Sequence, residues 1–233
     1  FDLDQLINKS TDWAGWQREA GGHGLFMVDF KLYLIGDRTQ CGGRSLADAL
    51  GQACHAGVRA VQLREKDLLP GEFVTLAQGV LGALTDYRPS ILINDRADIA
   101  CALQATGVHL PESGLSPKIA RHCLSENALI GCSTHSVDRA RQAAEAGADF
   151  ITFGPIYYTP SKASYGAPQG LETLKEVTQA VKIPVFAIGG ITPDRVQACL
   201  EIGATGVAVI SAILSAPDIP EAVTAFQHAL GEL

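Results

Sequence analysis

Gln62, Arg64 and Lys66 occupy alternate positions in the run Val61-Gln62-Leu63-Arg64-Glu65-Lys66-Asp67. In an extended chain alternate side chains share a face, so an amide, a guanidinium and an ammonium converge. That trio suits a phosphate or diphosphate, because Arg offers a planar fork of donors and Lys a compact charge. The competing reading is a surface salt-bridge cluster with Glu65 and Asp67. Further on, Asn94-Asp95-Arg96 supplies a carboxylate for Mg²⁺ or for pairing with Lys66 or Arg64. The plainer role of Asn94-Asp95 is to turn the chain and cap the next helix. Ser133-Thr134-His135-Ser136 holds a histidine, the natural acid/base near neutral pH, among three residues able to cap a helix. His109 reads as a structural strand residue, and His55, His122 and His228 as surface residues of helices.

Three later segments offer anion contacts. Gly154–Lys162 is a long loop whose Thr159, Ser161 and Lys162 bring two hydroxyls and an ammonium, the make-up of a lid over an anion. Ile188-Gly189-Gly190-Ile191-Thr192 and Val209-Ile210-Ser211-Ala212 each follow an apolar run. Glycine lets backbone N–H groups approach a phosphate closely, and helix N-termini favour anions.

These residues need a frame that brings them together. Short apolar runs alternate with longer amphipathic stretches, and eight candidate strands emerge. They are Leu32–Ile35, Ala60–Leu63, Ile91–Ile93, Gly107–Leu110, Leu129–Cys132, Phe150–Phe153, Val185–Ile188 and Gly206–Ile210. A phrase of helix end, glycine and buried strand recurs at Ala56–Val61, Ala146–Ile151 and Gly203–Ala208. Apolar strands alternating with helices imply a parallel sheet covered by helices, and eight such units close into a (β/α)₈ (TIM) barrel. An open doubly wound sheet is disfavoured, since Gly36-Asp37-Arg38-Thr39 after the first strand is no phosphate-cradling fingerprint. In a barrel the active site lies at the C-terminal strand ends, and the loops after strands 7 and 8 are the usual phosphate site. Every segment above falls at such an end.

The chain has 233 residues, 47% hydrophobic and 18% charged, with net charge −7. That length suits one barrel domain, and the acidic balance argues against a nucleic-acid partner. No apolar run approaches a membrane span. The six cysteines, Cys41, Cys54, Cys101, Cys123, Cys132 and Cys199, form no CxxC pair and read as mostly buried, reduced thiols of a cytoplasmic protein. Residues 1–26, with both tryptophans and the run Gly21-Gly22-His23-Gly24, read as an extension or fusion segment. The domain proper is then 27–233, with Met27 as a plausible start; a helix covering the barrel bottom is the other reading of the segment. Barrels often dimerise, so a homodimer is compatible with the sequence.

The segments VQLREKD (61–67), INDRADIA (93–100), GCSTH (131–135), GPIYYTPSK (154–162), AIGGIT (187–192) and GVAVISAI (206–213) together resemble the thiamin phosphate synthase and TenI superfamily. The resemblance implies a barrel acting on a small phosphorylated thiazole. It carries two activities. The synthase joins a pyrimidine diphosphate to a thiazole phosphate and releases pyrophosphate. By resemblance Gln62, Arg64 and Lys66 would hold the diphosphate and Asp95 a Mg²⁺, with Asn94, Ser133, Thr159, Ser161 and Lys162 also matching. Gly189, Gly190, Ile210 and Ser211 would bind the thiazole phosphate through backbone N–H groups. The departure is at His109-Leu110-Pro111-Glu112-Ser113-Gly114, where Gly114 stands in place of a second metal-binding Asp. Leu110-Pro111 and Ser116-Pro117-Lys118 instead resemble TenI-type thiazole tautomerases, which need no cofactor and aromatise a carboxythiazole phosphate by a proton shift. The expectation drawn is therefore the tautomerase. His135 would be its acid/base, with Arg64 and Lys66 holding the carboxylate or screening developing charge. The synthase, with Mg²⁺ and a metal site rebuilt on Glu112, is the alternative. A non-catalytic ligand-binding barrel comes third.

Overall fold

The computed structural model describes residues 28–159 and 167–233. Residues 1–26, and Ser161 and Lys162, lie outside the described residues. Eight strands run β1 (Leu32–Gly36), β2 (Ala60–Leu63), β3 (Ser90–Asn94), β4 (Gly107–Leu110), β5 (Leu129–Thr134), β6 (Phe150–Phe153), β7 (Val185–Ile188) and β8 (Gly206–Val209). They pair in chain order, all parallel, and β8 closes on β1 through Leu32↔Val207 and Leu34↔Val209. The helices among the described residues are α1 (Leu46–His55), α2 (Pro70–Leu84), α3 (Ala97–Ala102), α4 (Pro117–Cys123), α5 (Val137–Glu145), α6 (Gly170–Ala180), α7 (Pro193–Glu201), α8 (Ser211–Leu214) and α9 (Ile219–Leu230). The chain is a (β/α)₈ barrel, and every strand read from the sequence is present.

Four strands differ at their ends, β1 and β3 only by one residue at an end, to Gly36 and to Ser90 and Asn94. β5 runs on through Ser133 and Thr134, which pair with Thr152 and Phe153 of β6; backbone pairing needs no apolar side chain, so hydropathy ended this strand too early. Conversely β8 stops at Val209. Ile210 leaves the β region, with φ −124 and ψ −91, and opens the short helix α8.

Local chemistry sets the helix ends. Ser45, Ser116, Ser136 and Asp218 each accept a backbone N–H of the first turn of the helix they precede, satisfying donors that have no partner within the helix. In the recurring phrase, Gly57, Gly147 and Gly203 take φ +105, +91 and +98, the region where a Cβ is penalised.

Alternation along the strands divides the core in two. Leu32, Leu34, Val61, Leu63, Ile91 and Ile93 point outward into the layer between sheet and helices. Tyr33, Ile35, Ala60, Leu92, Leu129, Phe150, Phe186 and Ala208 point inward and, with Phe30, fill the barrel. Phe30, Tyr33, Phe150 and Phe186 meet at centroid separations from 5.2 to 6.2 Å, mostly tilted or edge-on, the arrangement their quadrupoles favour. This plug closes the lower barrel and leaves the polar upper layer as floor of the mouth.

Candidate active site

At the end of β2, Gln62 is 1% exposed and faces the barrel interior. The strand ends at Leu63, so alternation does not by itself carry Arg64 to the mouth. What carries it is a further ladder bond, Arg64 N–H to the Gly36 carbonyl at 3.0 Å. Lys66 lies beyond that, exposed. Glu65 and Asp67 do form a salt-bridge cluster, but with Arg38. Its guanidinium meets Glu65 Oε2 at 2.7 Å and grips Asp67 at 2.8 and 2.7 Å, and its backbone N–H donates to Glu65 Oε1 at 2.8 Å. Arg38 holds the Asp67 carboxyl below its usual range, while burial pushes that of Glu65 up. Among the described residues, Arg64 and Lys66 make no ion pair.

Asn94 ends β3 half-buried, and Asp95 follows exposed. Asp95 has φ +64, a left-handed conformation that costs a non-glycine residue roughly 1–2 kcal/mol and concentrates at functional sites. Asn94-Asp95 does turn the chain, with Arg96 N–H donating to the Asn94 carbonyl at 2.7 Å, but it does not cap: the N-cap of α3 is Arg96, without a side-chain capping bond, and Asp95 pairs with neither Arg64 nor Lys66. Position 114 borders its carboxylate, since a Cβ on Gly114 would stand 3.0 Å from Asp95 Oδ1. The described residues contain no group of three or more His, Cys, Asp or Glu placed to hold a metal.

At the end of β5 the half-exposed His135 is held by Glu112. One carboxylate oxygen, Oε2, accepts the His135 backbone N–H at 2.7 Å and lies 3.0 Å from Nδ1. Arg139 Nε approaches the other oxygen at 3.4 Å. A carboxylate only accepts, so Nδ1 carries the proton and Nε2 is left as the imidazole's free edge. Of the three residues read as possible caps, only Ser136 caps α5, accepting from Arg139 N–H at 3.2 Å. Glu112 is therefore engaged with the histidine and with Arg139. Sequence reasoning missed this partnership because Glu112 and His135 lie 23 residues apart, in the loops that follow the neighbouring strands β4 and β5, and no local period links two such loops.

Three further segments complete the rim. Thr159 Oγ1 is buried without a hydrogen-bond partner among the described residues, an orphaned hydroxyl of the kind that a ligand can satisfy. After β7, Gly189 and Gly190 have φ +96 and +65, and a Cβ on either would run into Pro155 or Tyr157. Their carbonyls are taken by Tyr157 N–H at 3.0 Å and by the Arg195 guanidinium at 2.6 Å. The N–H groups are left as the turn's remaining polar edge. Arg195 is itself fixed over the Tyr157 ring, 4.5 Å from its centroid. Ile210 and Ser211 open α8, the short extra helix that commonly accompanies a phosphate site in this fold.

Beneath the rim lies a polar layer in which Gln62 and Ser133, both read from the sequence as site residues, join Tyr33 and His109, which were not. His109, 2% exposed, lies 3.4 Å from Tyr33 Oη through Nδ1 and 3.0 Å from Ser133 Oγ through Nε2. Gln62 Nε2 donates to Tyr33 Oη at 3.1 Å. Burial, aided by the charge of Arg64, pushes the His109 pKa down to about 3, so the ring is neutral. His55, His122 and His228 are exposed on helices, as read.

The C-terminal mouth of this closed barrel, where enzymes of the fold keep their active sites, thus gathers two cations without ion pairs among the described residues, a carboxylate and a glycine turn. The chain belongs to the thiamine monophosphate synthase family, whose sequence pattern matches residues 32–213, and with it to the enzymes of thiamin biosynthesis. A Geobacter sulfurreducens chain provisionally named thiamine-phosphate synthase is 50% identical over 191 residues, 82% of this chain and 90% of its own. The thiamine-phosphate synthase of Clostridium novyi is 42% identical over 192 residues, 82% and 94% of the two chains. Among solved structures, thiamine phosphate pyrophosphorylase from Pyrococcus furiosus superposes with a TM-score of 0.77 at 31% identity, covering 87% of this chain and 96% of that one. No helix among the described residues is long and apolar enough to cross a membrane.

Proposed function

We propose that this chain makes thiamin phosphate by joining a pyrimidine diphosphate to a thiazole phosphate with release of pyrophosphate. The relatives' names favour this synthase over the tautomerase expected from strand 4. The observation that carries the reading is the pair Arg64 and Lys66, left without acidic partners among the described residues because Arg38 takes Glu65 and Asp67. As the thiazole nitrogen attacks the pyrimidine methylene carbon, the carbon–oxygen bond breaks and negative charge collects on the departing diphosphate. A guanidinium and an ammonium already in place stabilise that charge without reorganising. Gln62, Asn94 and Ser133 would orient the pyrimidine half. Thr159, Ser161 and Lys162 would contact the substrates, and Gly189, Gly190, Ile210 and Ser211 would bind the thiazole phosphate.

The residues fit a Mg²⁺ that arrives with the diphosphate rather than one held beforehand by the protein. Asp95 offers one carboxylate, Gly114 beside it offers none, and Glu112 is engaged with His135. Mg²⁺ commonly binds through one or two carboxylates plus substrate phosphates. Asp95 would hold it, and its charge would offset that of the diphosphate.

The tautomerase is the second reading, and the Glu112–His135 pair favours it. An imidazole with Nδ1 anchored and Nε2 free is equipped to move a proton at a substrate carbon, a step the synthase reaction does not require. A barrel that binds without turnover is disfavoured by the same pair.

Purified protein incubated with the pyrimidine diphosphate and thiazole phosphate, with and without Mg²⁺, separates these. Thiamin phosphate formation that depends on Mg²⁺ and falls at least tenfold in Arg64→Met and Lys66→Met supports the synthase. No product, with the carboxythiazole tautomer converted and that conversion lost in His135→Asn, overturns it in favour of the tautomerase.

A further inference from the structure

Four side chains link the sealed interior to the mouth: Gln62, Tyr33, His109 and Ser133. Tyr33 is 0% exposed and His109 2%, so neither opens on solvent. Gly131 makes room for this arrangement, since a Cβ there would stand 2.6 Å from His109 Nδ1. We infer that Tyr33 and His109 form a directed hydrogen-bond chain that fixes the Ser133 hydroxyl as a donor to bound substrate. The inference deepens the reading above, since it places a phosphorylated heterocycle over Ser133.

The direction follows from counting donors. Gln62 Nε2 donates to Tyr33 Oη at 3.1 Å. The Tyr33 O–H then has His109 Nδ1, at 3.4 Å, as its acceptor among the described residues. Nδ1 must therefore be the unprotonated nitrogen, and Nε2–H donates to Ser133 Oγ at 3.0 Å. Thr152 Oγ1, 3.5 Å from Nε2, lies near enough to share that proton weakly. In the opposite tautomer Tyr33 Oη would receive two protons while its own found no acceptor, and a buried unmade hydrogen bond costs about 1–3 kcal/mol. With its oxygen accepting from His109, Ser133 has its hydrogen free, and Ser133 faces the mouth half-buried. The subsite is thereby set for a ligand atom bearing a lone pair, such as an unprotonated ring nitrogen, and against an N–H at the same place. Tyr33 and His109 are positioning residues; Ser133 is the group that touches substrate.

Two measurements test this. The first is the ¹⁵N spectrum of histidine-labelled protein without ligand. His109 should show an unprotonated Nδ1 and a protonated Nε2, unchanged between pH 5.5 and 8.5; a protonated Nδ1 overturns the chain whatever reaction the enzyme performs. The second is a calorimetric binding cycle with the pyrimidine diphosphate and the thiazole phosphate on Tyr33→Phe, Ser133→Ala and the double variant. Tyr33→Phe and Ser133→Ala should each weaken one ligand by about 2–10-fold, the loss of one neutral hydrogen bond. The double variant should be no weaker than Ser133→Ala alone, because Tyr33 acts through Ser133. Additive losses, or native-like affinity in both single variants, overturn the proposal. Failure of the wild type to bind either ligand counts against the proposed reaction, and the spectrum still decides the chain.

Discussion

Gly131→Ala is the sharpest test of how the barrel interior is packed. The added methyl would stand 2.4 Å from Phe150 Cζ and 2.6 Å from His109 Nδ1, and both neighbours are sealed in the core. Neither can swing into solvent, so the ring and the imidazole must shift against Tyr33 and Phe186. Overpacking of this kind costs typically 1–3 kcal/mol, and contacts this short place it near the top of that range. Replacing glycine by alanine in a strand recovers roughly 0.5–1 kcal/mol of backbone entropy. The net loss is about 2 kcal/mol, which lowers Tm by roughly 4–8 °C in a domain of this size. Scanning calorimetry at pH 7.5 reads it, with Phe150→Leu as the second arm of a cycle. In the Phe150→Leu background the added methyl finds space, and its cost should fall by about half. A Gly131→Ala protein as stable as wild type would refute the claim that this glycine is kept small for His109 and Phe150.

Three further outcomes are expected. His109, with an ordinary value of 6.5 lowered to about 3 by burial, binds a proton only when unfolded between those limits. Its share of stability is therefore complete above pH 6.5 and drains away as pH falls, by about 2 kcal/mol at pH 5; urea unfolding of His109→Gln should lack that part of the slope. Burial pushes Cys54 and Cys132 up to about 12 and Cys199 to about 11, and Cys41 is also raised and buried. A thiol reagent at pH 8 should therefore label only Cys101 and Cys123 of the six in the native protein and all six in denaturant; labelling of a third native thiol counts against this packing. Gly114→Asp sets a second carboxylate against Asp95 Oδ1, so thermal melts should show a loss of stability without metal and a larger Mg²⁺-dependent gain than in wild type. Equal Mg²⁺ responses would separate position 114 from the Asp95 site.

The sequence by itself determined the frame. Eight apolar runs and a recurring glycine phrase dictate a parallel barrel, because strands buried on both faces must be apolar and the turn at Gly57, Gly147 and Gly203 needs positive φ. Placing Gln62, Asn94, Ser133 and the Gly189-Gly190 turn at C-terminal strand ends followed from that frame. Tertiary structure alone decided which charges remain free and which polar groups meet. Arg38 lies 27 residues before Glu65, and Glu112 lies 23 before His135; no local period links such pairs. Tyr33, Gln62, His109 and Ser133 sit on four different strands, β1, β2, β4 and β5; Gln62 and Ser133 are legible as site residues, whereas Tyr33 and His109 each alone read as ordinary strand residues. Pairing of neighbouring strands sets Gln62 beside Tyr33 and His109 beside Ser133, and the closed ring brings Tyr33 across to His109, because proximity is set by register around the ring and not by distance along the chain.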